Sequence, residues 1–249
     1  MCDELTENDK KQFLLNQRNL NRRDFSKLSI AALITAVLPN VVFAQTVAES
    51  TIEIATPDGI SDCYFVSPSN GKYPGVILWP DIKGLRPAYK VLAKRLAQAG
   101  YSVLVINHYY RDAKAPVVSP DASFGDPKTM NYLRNMASKL THDAITSDAK
   151  AYIDFLDKQI NVDRNRKMGT IGYCMGGSDT LRTAAAAPSR IGAVASFHGG
   201  GFDISDGPDS THLLIEKSSA HALHAIAEND DKRSPEIKNV LRTAYKAAG

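Results

Sequence analysis

Gly172-Tyr173-Cys174-Met175-Gly176-Gly177 constrains this chain more than any other run, because it sets one thiol between a strand-like stretch and the small-residue start of a helix. A backbone that passes from strand to helix within two residues needs flanks without a Cβ, and the glycines provide that room. Upstream, Arg166-Lys167-Met168-Gly169-Thr170-Ile171 reads as a short buried strand entered from the polar turn Asn161-Val162-Asp163-Arg164; downstream, Ser178 to Ala187 reads as helix. Strand, tight turn and helix in that order make a nucleophile elbow. The central side chain then stands exposed at the strand's carboxyl end, and the first helical N–H groups, beginning with Met175, face the space above it. There they favour a thiolate and can hold an oxyanion. The same letters also fit an inert buried cysteine in a glycine-rich turn, since cysteine is among the most buried residue types.

The rest of the chain alternates strand and helix. Strands are predicted near Thr51–Ile54, Asp62–Val66, Gly75–Trp79 and Ser102–Asn107, and, after the elbow, near Ala193–Phe197 and Ala222–Ala227. Helices are predicted over Ala88–Ala99, Met130–Lys139, Ala144–Gln159 and Pro235–Ala248. This order indicates an α/β protein with a mostly parallel sheet covered on both faces. Ligands bind such sheets at the carboxyl ends of the strands, and Asp81, Arg111, Cys174 and Asp230 all fall at predicted carboxyl ends. The longest irregular stretch, Asp112 to Lys128 with Pro116, Pro120 and Pro127, reads as a surface loop able to border the same site.

Residues 1–44 read separately. Asn21-Arg22-Arg23-Asp24-Phe25-Ser26-Lys27 is a twin-arginine pattern, followed by an uncharged run from Leu28 to Phe43 and the small residue Ala44. Interrupted by Pro39 and Asn40, that run is marginal for ~30 Å of hydrocarbon, so a cleaved signal peptide is expected rather than a lasting membrane span. The expectation is export by the twin-arginine machinery to the periplasm or beyond, leaving 45–249 as one domain. Six of the 30 basic and five of the 27 acidic residues lie in 1–44, which leaves 24 and 22. A domain so close to neutral, without a basic stripe, is not a nucleic-acid binder. Cleavage after Ala44 would remove Cys2 and leave Cys63 and Cys174, an even pair in an oxidising space. A disulfide between them is not expected: Cys63 reads as part of an early edge strand, beyond reach of an elbow thiol. No Cys/His spacing suggests a metal, and no cofactor is called for.

From about residue 50 to 249 the chain resembles the dienelactone hydrolases, cysteine-nucleophile members of the α/β-hydrolase fold. Gly172-Tyr173-Cys174-Met175-Gly176-Gly177 is similar to the family's nucleophile signature. Val76-Ile77-Leu78-Trp79-Pro80-Asp81-Ile82-Lys83-Gly84-Leu85 resembles its strand and loop carrying an acidic residue and an oxyanion-hole amide. Ala93 to Gly100 and Tyr101 to Arg111 resemble the next helix and strand, which end in a Tyr-x-Arg near the substrate carboxylate. Ser196-Phe197-His198-Gly199-Gly200-Gly201 and Ala225-Ile226-Ala227-Glu228-Asn229-Asp230-Asp231 resemble the segments leading to the triad aspartate.

The resemblance implies Cys174 as nucleophile, Asp230 as the carboxylate that orients the base, and Asp81 where the family carries a glutamate that meets the resting thiol. It also implies Met175 and Ile82 as oxyanion-hole amides, with Tyr109 and Arg111 binding an acidic substrate. Asp231 competes with Asp230, and both suit helix capping ahead of Pro235; Arg111 equally suits a solvated loop. The family's catalytic histidine follows one more strand after the aspartate, and none of the six histidines here stands there. The expectation is therefore a domain lacking the last strand, histidine turn and helix, with His198 the one substitute base and a hydrogen-bonded turn histidine its bland alternative. Three functions follow: a hydrolase of a lactone or small ester through an acyl-Cys174 intermediate; a degenerate hydrolase-fold binding protein; and a thiol redox protein, which the absence of a second cysteine near Cys174 disfavours.

Overall fold

The computed structural model describes residues 45–119, 121–199, 202, 204–205, 207 and 210–249, so the leader and Cys2 lie outside the described residues. Gln45–Gly249 groups as one compact unit. Its strands are β1 (Val47–Thr56), β2 (Gly59–Pro68), β3 (Gly75–Trp79), β4 (Ser102–Val105), β5 (Met168–Tyr173), β6 (Ile191–Phe197) and β7 (His221–Ala225). The helices are α1 (Pro87–Gln98), α2 (Pro127–Ala137), α3 (His142–Asp157), α4 (Gly176–Ala186), α5 (Glu228–Arg233) and α6 (Ile237–Ala248), with a 3₁₀ helix at Thr211–Lys217. They build a seven-stranded sheet in the order β1-β2-β4-β3-β5-β6-β7. β1 and β2 pair antiparallel with each other, as do β2 and β4, and β4, β3, β5, β6 and β7 run parallel. The expected α/β architecture with a mostly parallel sheet is the one observed.

Strand alternation sorts the core into two layers. Cys63, Phe65, Ile77, Trp79, Leu104 and Ile106 face α3 and α4, while Tyr64, Val66, Val76, Leu78, Val103 and Val105 face α1. Unbroken apolar runs, Val76–Trp79 in β3 and Val103–Val105 in β4, are what a strand buried on both faces requires. α3 meets this core with Ile145, Ala149, Tyr152 and Leu156, an i, i+4 stripe, and starts at Thr141, whose hydroxyl accepts from Ala144 N at 3.2 Å. α2 is capped likewise by Asp126, which accepts from Lys128 N and Thr129 N, and Pro127 opens its first turn.

One expectation needs correction. β2 is not an edge strand, because β1 extends over ten residues and covers it; Cys63 is therefore a core residue. The expected last helix, Pro235–Ala248, is α6, which starts at Ile237, and the short α5 ahead of it was not foreseen. The Thr211–Lys217 turn was not foreseen. Cys63 and Cys174 form no disulfide, as expected.

Candidate active site

The loops leaving the carboxyl ends of β3 to β7 carry the candidate residues. Cys174 follows β5 with φ 52°, a left-handed conformation uncommon in a residue with a Cβ, and Met175 already has helical dihedrals at the head of α4. Two glycines make this geometry possible. A Cβ on Gly172 would lie 2.0 Å from the Gly176 carbonyl oxygen, and one on Gly176 would lie 2.6 Å from Pro80 O and 2.7 Å from Trp79 O. The head of α4 thus presses directly on the end of β3, which brings Met175 and the Asp81-Ile82 loop together.

That loop is tied down on every side. Asp81 holds Arg86 bidentately, at 2.6 and 2.7 Å, and accepts from Lys83 N at 2.9 Å, while Asp81 N donates to the Tyr89 hydroxyl at 2.9 Å. The carboxylate is buried, and its described partners belong to its own loop. Lys83 reaches Ala122 O at 2.5 Å and lies 3.9 Å from the centre of the Phe124 ring, which pins the loop after β4 to the loop after β3. Tyr109 is wholly buried. Its hydroxyl donates to Ile82 O at 2.9 Å and sits 3.9 Å from Met175 Sδ. Ile82, Val117, Val118, Met130 and Met175 pack around it as half-buried apolar groups. The loop after β4 does border this region, as expected.

Two expected substrate contacts are otherwise engaged. Tyr109 faces the Ile82 carbonyl from inside the protein, with no surface to offer a substrate. Arg111 places Nη1 2.8 Å from Asp148 Oδ2, Nη2 2.9 Å from Asp148 Oδ1 and 2.6 Å from Asp58 Oδ2, and Nε 3.0 Å from Asp58 Oδ2. Burial pushes the Asp148 carboxyl above its ordinary range, against the opposing pull of Arg111 and Tyr110. Arg111 is thus engaged by Asp148 and Asp58, which corrects the solvated-loop reading. Asp148 was the missed residue. Its signal was a carboxylate on the apolar stripe of α3, between Ile145 and Tyr152.

The other side of Cys174 is built by β6 and β7. Tyr173 pairs with Phe197, and Cys174 N donates to Phe197 O at 3.0 Å, so His198 follows level with Cys174 on the neighbouring strand. His198 also has a left-handed φ, 51°, and donates its N–H to Ala225 O at 2.8 Å. Its Nδ1 lies 2.6 Å from Asp230 Oδ2, close enough for a charge pair though without hydrogen-bond alignment, and its Nε2 is buried with no hydrogen-bond partner among the described residues. Catalytic contacts are often poorly aligned without substrate, so the distance is the better guide. Asp230 is buried in the first turn of α5, whereas Asp231 is half-exposed and pairs with Lys238 at 2.7 Å. The geometry favours Asp230 of the two. Four strand ends thus bring Asp81, Ile82, Cys174, Met175, His198 and Asp230 to one side of the sheet. Among the described residues no cluster of His, Cys, Asp and Glu suits a metal.

Comparison with known proteins gives a consistent picture. The sequence profile of the dienelactone hydrolase family matches residues 61–249. A carboxymethylenebutenolidase of Rhodococcus opacus is 27% identical over 130 residues, 51% of this chain and 45% of the relative. A Bradyrhizobium sp. protein assigned as a 2-oxo-3-(5-oxofuran-2-ylidene)propanoate lactonase is 27% identical over 148 residues, 59% of this chain and 55% of the relative. This chain spans about half the length of these curated relatives. A crystal structure from Klebsiella pneumoniae subsp. pneumoniae MGH 78578, assigned as a dienelactone hydrolase, superposes with a TM-score of 0.65 at 21% identity, covering 82% of each chain.

Proposed function

The chain belongs to the dienelactone hydrolase family, and on that footing we propose that it hydrolyses a lactone or small carboxylic ester through Cys174. The observation that carries this reading is the left-handed Cys174 at the head of α4, pressed through Gly176 against the loop that holds Ile82. Cys174 Sγ attacks the carbonyl carbon. The new oxyanion faces the Met175 and Ile82 N–H groups, and collapse expels the alcohol oxygen, which takes a proton from the base. Water then attacks the thioester, the base takes a water proton, and the thiolate leaves.

His198 is the imidazole best disposed for these transfers among the described residues. Nε2 is free to accept the thiol proton while Asp230 at Nδ1 fixes the tautomer and balances the imidazolium. Asp81, engaged with Arg86, holds the oxyanion loop in shape.

A chromogenic ester tests the reading. Mass spectrometry should find one acyl group on Cys174, and Cys174→Ala should abolish both acylation and turnover. An intact protein that never acylates would favour a degenerate binding protein. His198→Ala should reduce turnover about 10²–10⁴-fold; retained turnover would assign the proton transfer to another histidine. Residues 1–44 are proposed to direct twin-arginine export, a reading supported by Arg22-Arg23 and the uncharged run that follows and tested by whether Arg22→Lys with Arg23→Lys keeps the protein in the cytoplasm.

A further inference from the structure

Segment 121–137 runs from the loop after β4 through α2, and few contacts bind it to the rest of the domain. α2 buries two side chains, Leu133 and Met136, and leaves most of its others exposed. Those two join Tyr109 in a small cluster separate from both core layers, and Ile82 and Met175, the proposed oxyanion residues, pack against it. α3, by contrast, meets the main core along its whole length, from Ile145 to Leu156.

Polar contacts are fewer still. Among the described residues no hydrogen bond or ion pair ties 121–137 to a strand or to another helix, and beyond its adjoining turns its described tie is the buried Lys83. Lys83 Nζ lies 2.5 Å from Ala122 O and 3.9 Å from the centre of the Phe124 ring. The opposite end is rooted: Lys139 pairs with Asp112, and Leu140 packs against both the small cluster and the main core. The helix also carries its own cap, since Asp126 accepts from Lys128 N at 3.3 Å and Thr129 N at 3.1 Å, so α2 can swing without unravelling at its start. Parting Lys83 from Ala122 and Phe124 costs little, because water replaces both partners of the ammonium. A segment rooted at one end and caught at the other has the form of a lid.

We propose that 121–137 is a lid hinged between α2 and α3 and caught by Lys83, and that it swings off Tyr109 to admit a long apolar chain beside Ile82 and Met175; the substrate part rests on the acyl-transfer reading above. Hydrogen exchange read by mass spectrometry tests the motion without any substrate. Peptides from α2 should exchange about 100-fold or more faster than those from α3, and Phe124→Ala, which takes one partner from the catch, should speed α2 by a further factor of about five while α3 is unchanged. If α2 and α3 exchange alike, or α2 is indifferent to Phe124→Ala, the lid is overturned. Kinetics test the gate. With 4-nitrophenyl octanoate, Phe124→Ala should lower KM about fivefold and leave kcat within about twofold, because a larger share of the molecules is open. With 4-nitrophenyl acetate, which needs no opening, both constants should stay within about twofold. An unchanged octanoate KM, or a fall shared equally by acetate, would overturn the gate. If neither ester is cleaved, the acyl-transfer reading fails, and the exchange rates still decide the lid.

Discussion

Tyr109→Phe removes one oxygen atom and should separate the oxyanion hole's geometry from the fold's stability. The Tyr109 hydroxyl touches both proposed oxyanion residues, through Ile82 O and Met175 Sδ. Burial, and then the nearby Asp81, Asp179 and Cys174 charges, push its ionisation up, so it remains a donor at any working pH. Losing a buried hydrogen bond and leaving the Ile82 carbonyl unsatisfied costs about 1–2 kcal/mol. For a domain of this size that lowers Tm by roughly 2–8 °C. Outright removal of an oxyanion donor costs about 10²–10³ in kcat. The substitution loosens the Ile82 peptide without deleting its N–H, so a loss of roughly tenfold in kcat is expected, with KM within about twofold. Thermal denaturation and steady-state kinetics on 4-nitrophenyl butyrate measure both quantities. A variant whose Tm falls while kcat holds would refute the reasoning, since the hydroxyl would then serve the core and not the oxyanion loop.

Gly172→Ala should prevent folding or cost ~4 kcal/mol or more, because its Cβ would collide with backbone at Gly176 that cannot rotate away; soluble yield and urea denaturation will show it, and a stable, active variant would contradict the elbow geometry. Asp148→Asn should destabilise by about 3 kcal/mol, by breaking a buried pair from one side; urea denaturation measures it. Asp179, buried in α4, is raised to about 7 by burial, with Arg182 opposing. The folded state therefore holds this proton more tightly than the unfolded state does, so stability falls as pH rises from about 4 to about 7 and is flat above. Asp179→Asn should remove that slope and be the more stable protein above pH 7, by up to about 4 kcal/mol, in urea titrations across that range.

Much of this was legible in the sequence because it depends on local letters. The elbow needs glycines at fixed offsets, the buried strands β3 and β4 announce themselves as unbroken apolar runs, and α3 shows its stripe. The placement of Asp81, Cys174 and Asp230 at strand ends followed from the alternation alone. What stayed hidden depends on partners distant in sequence. Arg111 reads as a loop arginine until Asp148, on another element, is seen to meet it. The length of β1 and β2 comes from their pairing across Thr56 and Gly59, which extends both beyond their apolar centres. His198 offers no local sign of its left-handed backbone or of Asp230, 32 positions along the chain.

The alignment of Cys174 with His198 depends on a feature far from either. β5 and β6 begin with Met168 opposite Ile191, but Gly169 lies opposite Ala193, so Gly192 is an extra residue on β6. Without that bulge the register would run on unchanged and set Cys174 opposite Phe197, with an aromatic ring where the imidazole now stands. The bulge advances β6 by one, which both changes the face of every later side chain and sets His198 level with the thiol. Two left-handed residues at neighbouring strand ends then cost on the order of 1–3 kcal/mol each. The ladder bonds from Cys174 N to Phe197 O and from His198 N to Ala225 O hold them there. A sheet that only had to pack would have no reason to keep two such residues side by side, and the strain is intelligible as the means of directing a thiol and an imidazole out of the same end of the sheet.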